Sequence, residues 1–390
     1  MHVDADVLVI GAGPYGLSAA GALQTAGFQV RVIGQQMGFW RRNMPARMFL
    51  RSGTDWHLDA AGTLTFERYL VERSIDPATV PPVPVHVFLD YCDWFCRRSN
   101  ITVLNRQAEH VRQNSASFDI TLADGAAVRA RCVVCAPGIA NFAFVPAWFK
   151  ANVPAGRYSH TCERVTFEDL RGKRCLIVGG RQSAFEWAAL LLENGAAAID
   201  LVYRHETPEF VPSDWSFVDA HIDNTVRIPG WFRGLSSSER DEITRRFWTE
   251  GRLKLEPWLV ARLASEAVVR HPRCDVVRSR LLADDSLELT LSDGSVVAAD
   301  HIILATGYKP DVKKVEYLDG ICEHLEIADG SPQLDDHFQT SVPGLFITGF
   351  LAVHDFGPFF GFVRACPASS LLIADGVRAA LKASAPALSR

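Results

Sequence analysis

The chain contains an internal repeat, and this feature constrains its fold more than any other. The first copy has an apolar strand that ends at Gly11 and a short β-meander that ends at Gly138. The second copy has an apolar strand that ends at Gly179 and a meander that ends at Gly307, so corresponding glycines lie 168 and 169 residues apart. A repeat of this length predicts two similar α/β units, one after the other.

The meander of each copy contains an Asp-Gly pair, at residues 124–125 and 293–294. Alternating apolar residues precede each pair, as in Phe118–Leu122 and Leu287–Leu291. An Asp-Gly pair between alternating segments is typical of a β-hairpin. Each unit is therefore predicted to close with a hairpin, and its last strand ends in a glycine.

The first glycine turn has the sequence Gly-Ala-Gly-Pro-Tyr-Gly and stands between an apolar strand and a small-residue helix. Gly11 would permit the tight turn, Gly13 would let the backbone approach a pyrophosphate, and Gly16 would let the helix pack closely on the strand. The N-terminus of the following helix would attract the phosphates. The residues predicted to bind a dinucleotide here are Gly11, Gly13, Pro14, Tyr15 and Gly16.

The end of the next strand lacks the acidic residue that usually contacts a ribose in such units. Gly34, Gln35 and Gln36 stand there instead. Either glutamine could donate a hydrogen bond to a ribose hydroxyl, without the charge. Both glutamines are therefore candidate cofactor ligands.

The second glycine turn consists of Gly179, Gly180, Arg181, Gln182 and Ser183. Arg181 stands where Gly13 stands in the first copy, and it could either obstruct a pyrophosphate or pair with it. Arg204 follows the next strand, where the adenosine ribose lies in units of this kind. A basic residue there indicates the 2′-phosphate of NADP, and an exposed arginine at a strand end is the alternative.

Composition narrows the class of protein. A chain of 390 residues is long for a single core, and 48% hydrophobic with 22% charged residues is typical of a soluble globular protein. The net charge of −5 argues against a broad nucleic-acid surface. No apolar run is long enough to span a membrane, and acidic residues stand where a signal peptide would carry positive charge. We therefore expect a cytoplasmic protein with neither a nucleic-acid nor a membrane partner.

The nine cysteines have no regular spacing, which predicts free thiols. Cys132 and Cys135 lie three residues apart in a β-type segment and would point to opposite faces, so we interpret them as buried and inert. Cys92 and Cys96 would share a helix face without a histidine pair, which argues against a metal site. No metal is predicted.

Two further segments make a resemblance to a known family specific. Residues 156–161 (Gly-Arg-Tyr-Ser-His-Thr) precede the second glycine turn, and Ala305-Thr306-Gly307-Tyr308 closes the second unit. Together with the two turns, they resemble the class B flavin-containing monooxygenase family, near its lysine/ornithine N-hydroxylase branch. Pro154 departs from the pattern of that family, which has a phenylalanine at this position. Three other segments are similar to the same branch, at residues 66–70, 213–217 and 252–259.

The resemblance implies an α/β fold with two Rossmann-like dinucleotide-binding domains, one for FAD and one for NADPH, with β-meanders and a small helical insertion. We expect the first part of the FAD-binding domain at residues 1–150 and the NADPH-binding domain at 151–307. The helical cap would occupy 207–262, and residues 308–390 would return to the FAD-binding domain. The implied reaction is capture of O₂ by reduced flavin, as a flavin peroxide, followed by oxygenation of a heteroatom or carbon of a small molecule.

Additional residues are predicted to contact these cofactors. Trp40 and Arg41 belong to the loop that follows the predicted second strand, next to the first glycine turn. They would lie along the isoalloxazine or the pyrophosphate. Packing of the tryptophan by an arginine at the surface is the alternative. The remaining candidates end or follow a buried strand, and they are Gly138, Thr306, Gly307, Tyr308 and Gly349.

The candidate catalytic residues lie in two places. His354 and Asp355 follow the strand that ends at Gly349, where a titratable pair near the flavin could move protons; a structural, hydrogen-bonded histidine is the alternative. Asp214 belongs to the insertion, which holds four tryptophans, a capping box at Ser236–Glu239 and a glycine, Gly251, that would end the helix. The insertion is predicted to pack against the flavin domain. Core packing is the favoured role of any single tryptophan, but the insertion as a whole could wall the substrate pocket.

The favoured function is therefore an NADPH-using flavin monooxygenase, which acts on a small molecule with O₂. The sequence leaves open whether it acts as a monomer or a homo-oligomer. A flavin reductase or dehydrogenase without oxygen insertion is the alternative, as is a flavoprotein that has lost NADPH use. Disulfide reductases need a cysteine pair, and residues 38–50 contain none.

Overall fold

The computed structural model describes residues 3–115 and 117–383, and it is an α/β structure built on two mainly parallel sheets. Residues 1–2 and 384–390 lie outside this description. They belong to the predicted FAD-binding segments 1–150 and 308–390. Elements of the first unit are β1 (Ala5–Ile10), α1 (Pro14–Thr25), β2 (Val30–Ile33), α2 (Gly38–Arg42), β3 (Phe49–Leu50), α3 (Phe66–Glu72), β4 (Val83–Pro84), α4 (Val85–Arg98), β5 (Val103–Leu104), β6 (Ala108–Gln113), β7 (Phe118–Leu122) and β8 (Ala127–Cys135).

The second unit and the insertion follow. Their elements are α5 (Ala147–Asn152), β9 (Tyr158–His160), β10 (Arg174–Val178), α6 (Gln182–Glu193), β11 (Ala198–Tyr203), α7 (Phe217–Arg227), α8 (Trp231–Gly234), α9 (Ser237–Arg246), α10 (Leu259–Arg262), β12 (Val268–Pro272), β13 (Val276–Leu281), β14 (Leu287–Leu291), β15 (Val296–Ala299) and β16 (His301–Leu304). The C-terminal elements are β17 (Ile327–Ala328), β18 (Ser331–Pro332), β19 (Leu345–Ile347), α11 (Val353–Phe356) and α12 (Cys366–Ala383).

The first sheet has the order β5-β2-β1-β8-β7-β6, and β19 pairs in parallel with β8. The chain therefore returns to the first sheet near its C-terminal end. Strand β1 lies between β2 and β8, and its residues Val7, Leu8 and Val9 are fully buried, as expected of a central parallel strand. Helix α1 begins at Pro14, where the missing N–H costs nothing, and the chain turns at Gly27 with φ +89°.

The second sheet has the order β12-β11-β10-β16-β9, and its meander forms a separate sheet, β13-β14-β15. Both predicted hairpins are present with the same hydrogen bonds. Gly125 N donates to Leu122 O over 2.8 Å, and Gly294 N donates to Leu291 O over 3.0 Å. The last strand is continuous in the first unit, whereas Asp300 separates β15 from β16, because its carboxylate accepts a hydrogen bond from Arg174 N (2.8 Å).

The insertion contains helices α7 to α10, and the capping box of α9 is formed as predicted by Ser236 and Glu239. Gly251 does not end this helix. It lies inside a π-helical turn, Phe247–Arg252, where a Cβ atom would overlap the ring of Trp215. The glycine is therefore needed for close packing of a tryptophan.

The insertion packs on both units and not on the first unit alone. Its first part joins the core of the first unit through Phe217, Val218, Ile222 and Phe247. Its last part joins the core of the second unit through Leu255, Leu259 and Leu263. A segment anchored in this way closes the space between the two sheets.

Candidate active site

A single large cavity of about 1650 Å³ extends from the first glycine turn to the second. Its walls include both turns, the strand ends that follow them and residues of the insertion. Pockets for a single small ligand usually measure about 300–1,000 Å³. The cavity therefore has room for more than one small ligand.

The first glycine turn has the shape that a pyrophosphate requires. Gly11 has φ +108°, and a Cβ atom on it would overlap the carbonyl oxygen of Ala136. A Cβ atom on Gly16 would overlap the carbonyl oxygen of Gly11. Gly13 differs, since a Cβ atom on it would meet nothing within 4 Å, and the residue lines the cavity. The open space beside Gly13 fits a dinucleotide approaching the backbone.

Tyr15 fastens this turn to the C-terminal segment. Its hydroxyl group donates to Phe362 O (2.8 Å) and lies close to Phe360 O. Burial raises the pKa of the phenol well above its ordinary value, so the group stays neutral. Pro14 and Tyr15 both line the cavity.

Gln35 and Trp40 line the cavity, but their neighbours Gln36 and Arg41 do not. Gln36 Nε2 donates to Asp93 Oδ1 over 2.7 Å, and Arg41 Nη2 lies 2.7 and 2.8 Å from the two oxygens of the same carboxylate. Asp93 of helix α4 therefore holds both side chains off the cavity wall, and the predicted cofactor contacts of Gln36 and Arg41 stay predictions.

The second glycine turn repeats the backbone of the first. Gly179 has φ +142°, and a Cβ atom on it would lie 2.6 Å from Ala305 O, which corresponds to Ala136 in the first unit. A Cβ atom on Gly180 would lie 2.5 Å from Tyr203 Cβ. Gly179 therefore brings the turn against the end of β16, as Gly11 does against Ala136 in the first unit, and Gly180 adds close packing against the end of β11.

The remaining residues of this turn point in different directions. The guanidinium carbon of Arg181 lies 3.7 Å from the ring centre of Trp248, so the side chain is directed toward the insertion. Partial burial and nearby Arg204 lower its pKa to about 10. Gln182 is occupied within the fold, because it accepts from Glu256 N (3.0 Å) and donates to Glu186 (3.1 Å). Arg181, Gln182 and Ser183 all line the cavity.

Arg204 also lines the cavity, at the end of β11. Its side chain is 82% exposed, and its nearest carboxylate oxygen, on Asp275, is 3.9 Å away. A pair this long in water contributes little. Arg204 is therefore free to turn toward an anion.

The seam between the two units carries the other predicted strand-end residues. Thr306 Oγ1 donates to Phe144 O, and Gly307 O lies 3.0 Å from His160 Nε2. The ring of Tyr308 contacts the His160 ring, with 5.2 Å between their centres. Gly138 and Gly349 have φ +71° and +79°. Five of these residues line the cavity, namely Gly138, Thr306, Gly307, Tyr308 and Gly349.

The three candidate catalytic residues are not on the cavity wall. Asp355 is buried, and its carboxylate accepts from Leu334 N (2.7 Å) and contacts His354 Nδ1 (2.8 Å), so the pair fastens a loop. Asp214 is exposed, and its Oδ1 accepts from Ser216 N (2.9 Å) in a local turn. The structure thus does not place His354, Asp355 and Asp214 on the cavity wall, and each carboxylate accepts a hydrogen bond from a backbone N–H, so their catalytic roles stay predictions.

Three residues of the cavity wall that the sequence did not single out carry a buried polar atom without a partner. These atoms are Trp215 Nε1, Arg252 Nε and Thr348 Oγ1. A buried polar atom without a partner costs free energy, so these three side chains are unusual among those of the fold. In the sequence, Arg252 is distinguished only by its position close to the tryptophans of the insertion.

The cysteines lie away from the wall of the cavity. All nine cysteines are free, and no described cysteine lines the cavity. Cys132 and Cys135 are buried as predicted, and burial raises their pKa values to about 12, which disfavours the reactive thiolate. Within residues 3–115 and 117–383, no cluster of potential metal ligands occurs and no helix could cross a membrane.

Comparison with known proteins assigns the family. Residues 8–227 match the pyridine nucleotide-disulphide oxidoreductase family, and residues 242–359 match a second model with the same description. The chain belongs to this family. The predicted oxidoreductase class and the α/β fold with two dinucleotide-binding units are confirmed.

Proteins with sequences similar to this oxidoreductase differ in activity. The FAD-dependent urate hydroxylase of Xanthomonas campestris pv. campestris is 30% identical over 212 residues, which are 51% of this chain and 45% of that protein. The chain thus matches less than half the length of that relative. A ferredoxin–NADP reductase of Paraburkholderia phymatum is 25% identical over 354 residues, which are 89% of this chain and 81% of that protein.

Solved structures confirm the predicted resemblance at the level of the fold. An ornithine N-hydroxylase of Kutzneria sp. 744, solved with reduced FAD, NADP⁺ and L-ornithine, superposes with a TM-score of 0.78 at 18% identity, over 96% of this chain and 99% of that one. L-lysine 6-monooxygenase of Pseudomonas syringae gives a TM-score of 0.76 at 18% identity, over 97% and 100% of the two chains. The cofactor pair predicted here is thus the pair bound in a protein of the same fold.

Proposed function

We propose that this oxidoreductase is an FAD-dependent, NADPH-using monooxygenase that oxygenates a small molecule. One observation carries the proposal: a single cavity joins both glycine turns beneath an aromatic insertion, and no described cysteine lines it. Electrons delivered to a flavin in this cavity have no thiol acceptor. O₂ and a small molecule are the partners that fit such a space, in a cytoplasmic enzyme.

FAD would bind in the first unit, with its pyrophosphate beside Gly13 and the N-terminus of α1. Gln35, Trp40, Gly138 and Gly349 would contact it from the rest of the wall. When bound, the flavin supplies the redox chemistry with NADPH and O₂. The protein contributes binding, orientation and exclusion of water.

NADPH would bind in the second unit, on the turn of Gly179 and Gly180. Arg204 would pair with the 2′-phosphate, since its side chain has no strong partner among the described residues. Arg181 lies beside the same turn, with its guanidinium stacked on Trp248. We propose that it adds positive charge near the pyrophosphate and does not block it.

The insertion would keep water from the reaction. Trp215, Phe247, Trp248 and Phe362 line the cavity and contact one another, with ring centres 5.7 Å apart for Trp215 and Phe362. An apolar wall of this kind protects a reactive intermediate from hydrolysis. We propose that residues 207–262 serve as this cap, between a FAD-binding domain at 1–150 and 308–390 and an NADPH-binding domain at 151–307.

A reductase is the second candidate, because the match to a ferredoxin–NADP reductase covers 89% of the chain. Such an enzyme would pass electrons to a protein and would release no oxygenated product. The aromatic cap favours the monooxygenase, since electron transfer to a protein needs access to the flavin.

The two candidates are separated by the balance of reaction products. Purified holoenzyme is given NADPH and O₂ with urate, L-ornithine, cadaverine, aromatic acids and sulfides in turn, and NADPH loss, peroxide and oxygenated product are measured. A monooxygenase shows one compound that speeds NADPH oxidation and lowers the peroxide yield as product forms. If every compound leaves peroxide equal to NADPH consumed, while an artificial one-electron acceptor is reduced rapidly, the reductase is the correct assignment.

A further inference from the structure

Arg252 lines the cavity and has no role in the proposed binding of either cofactor. It ends the π-helical turn of the insertion, and it makes no ion pair among the described residues. Its Nε atom is buried and has no hydrogen-bond partner. Arg51, nearby, is the opposite case, since it bonds Glu256 (3.1 Å), Gly251 O (2.7 Å) and Lys254 O (3.0 Å).

The charge around Arg252 is positive and uncompensated. Burial, and then the neighbouring Arg181 and Arg51, lower the pKa of Arg252 to about 10, so it remains protonated at neutral pH. The carboxylate of Glu256 is already paired with Arg51. A buried cation without a counter-ion is costly, and a bound anion would relieve that cost.

The space beside Arg252 is bounded by flat aromatic rings. The guanidinium carbon lies 4.9 Å from the ring centre of Phe362 and 5.4 Å from those of Phe247 and Trp248. Trp215 packs edge-on against Phe247, with 5.7 Å between ring centres, and its buried Nε1 donor has no partner. These walls suit a planar molecule, and the guanidinium group of Arg252, which lines the cavity, suits an anionic acceptor on it.

We propose that the guanidinium of Arg252 forms an anion subsite beside the ring of Trp215, and that the substrate is a planar aromatic or heteroaromatic compound carrying a negative charge. The inference rests on the proposed function and names its substrate class. It places the anionic group between the insertion and Phe362.

An aliphatic diamine or a basic amino acid side chain would be a poor fit to the same place. The acidic residues of the cavity wall are Glu109, Asp275 and Glu316. Asp275 lies beside Arg204, and the other two belong to the meander side of the first unit, on β6 and in the segment after β16. An ammonium group near Arg252 would therefore face a cation without a carboxylate to balance it.

The test is ligand binding to the oxidised holoenzyme, which needs no turnover. Benzoate, benzamide and benzylamine share one ring and differ in charge, and each is titrated while the flavin absorbance is followed. Wild-type protein should bind benzoate about 10–100-fold more tightly than benzamide, and benzylamine most weakly, since charge-assisted bonds to a guanidinium are the strong ones. Arg252→Met should abolish the preference for benzoate, and Trp215→Phe should weaken benzoate a few-fold.

The matched control is Arg245→Met, an exposed arginine of the same insertion that pairs with Glu242. It should leave all three affinities and the NADP⁺ affinity unchanged. The proposal is overturned if wild type prefers benzamide or benzylamine, if none of the three binds, or if Arg252→Met keeps the benzoate preference and loses NADP⁺ affinity instead. Because these are binding measurements, a failure of oxygenation in the turnover assay would leave their result unaffected.

Discussion

The first and second glycine turns begin alike and diverge at their third position. Gly11 and Gly179 make the same close approach to Ala136 and Ala305. The first turn then presents bare backbone to open space at Gly13, whereas the second presents Arg181, whose guanidinium stacks on Trp248. One backbone design therefore offers two kinds of anion site. The first relies on backbone amides, and the second adds a side-chain charge.

The largest effect is expected from Gly13→Val. A side chain there would occupy the space for the pyrophosphate and remove at least two charge-assisted hydrogen bonds, each worth about 1.5–3 kcal/mol. FAD affinity should fall by more than about 100-fold, and the protein should purify colourless. Gly234→Val is the control, because a Cβ atom there also meets nothing within 4 Å and Gly234 is away from the cavity. Full flavin content in Gly13→Val would show that the first turn does not hold the cofactor.

The second turn is tested by Arg204→Ala, with NADPH and NADH compared. Loss of one charge-assisted contact to the 2′-phosphate should weaken NADPH about 10–100-fold and leave NADH nearly unchanged. Affinities can be measured from the rate of flavin reduction against nucleotide concentration. Arg273→Ala is the matched control, since this exposed arginine pairs with Glu206 and does not line the cavity. Equal losses for both nucleotides would reduce Arg204 to a structural role.

Arg181→Gly converts the second turn into a copy of the first. Because the guanidinium already stacks on Trp248, away from the backbone amides, we expect its removal to weaken NADPH by about 3–10-fold. FAD content should not change. Tighter NADPH binding by the variant would mean that the arginine obstructs the site. The second turn would then bind its anion through backbone amides, as the first turn does.

The smallest expected effect is a pH dependence of stability, and it comes from one position at which the two sheets differ. Cys175 pairs with His301 in the second sheet, where Val7 pairs with Cys132 in the first. Burial lowers the pKa of His301 to about 4, so the unfolded chain binds a proton more readily than the folded one. Stability should therefore fall as the pH drops from about 6.5 toward 4, by roughly 1 kcal/mol between pH 7 and 5.5.

Thermal unfolding across this pH range measures the effect. His301→Gln should show a weaker pH dependence, because glutamine can still donate to Ser159 and cannot take up the proton. His110→Gln, which changes an exposed histidine of the first sheet, serves as the control. An unchanged slope in His301→Gln would remove His301 as the source.

Much of the fold follows from local sequence signals. The glycine turns, the two Asp-Gly hairpins and the capping box of α9 each need only a few neighbouring residues, and each forms as expected. The end of α9 does not, because Gly251 is required by the ring of Trp215, which lies 36 residues earlier in the chain. Such a contact leaves no local trace.

The same limit separates the predicted site residues. Gln36 and Arg41 have the right chemistry and position, yet both are bonded to Asp93, more than 50 residues away. His354 and Asp355 have the sequence pattern of a catalytic pair. In the fold, however, the Asp355 carboxylate accepts a hydrogen bond from Leu334 N, and neither residue lines the cavity. Arg252 is the reverse case, since only the absence of a described partner in the folded chain sets it apart from ordinary arginines.

The central claim, that both nucleotides work in one dry cavity to oxygenate a substrate, is tested most directly by stopped-flow mixing of the NADPH-reduced holoenzyme with O₂. We predict a transient whose absorbance differs from those of reduced and oxidised flavin, which lasts longer when NADP⁺ is retained and shorter with an oxygenated substrate. Direct return to oxidised flavin with one peroxide per NADPH, and no oxygenated product from any compound tried, would contradict the account.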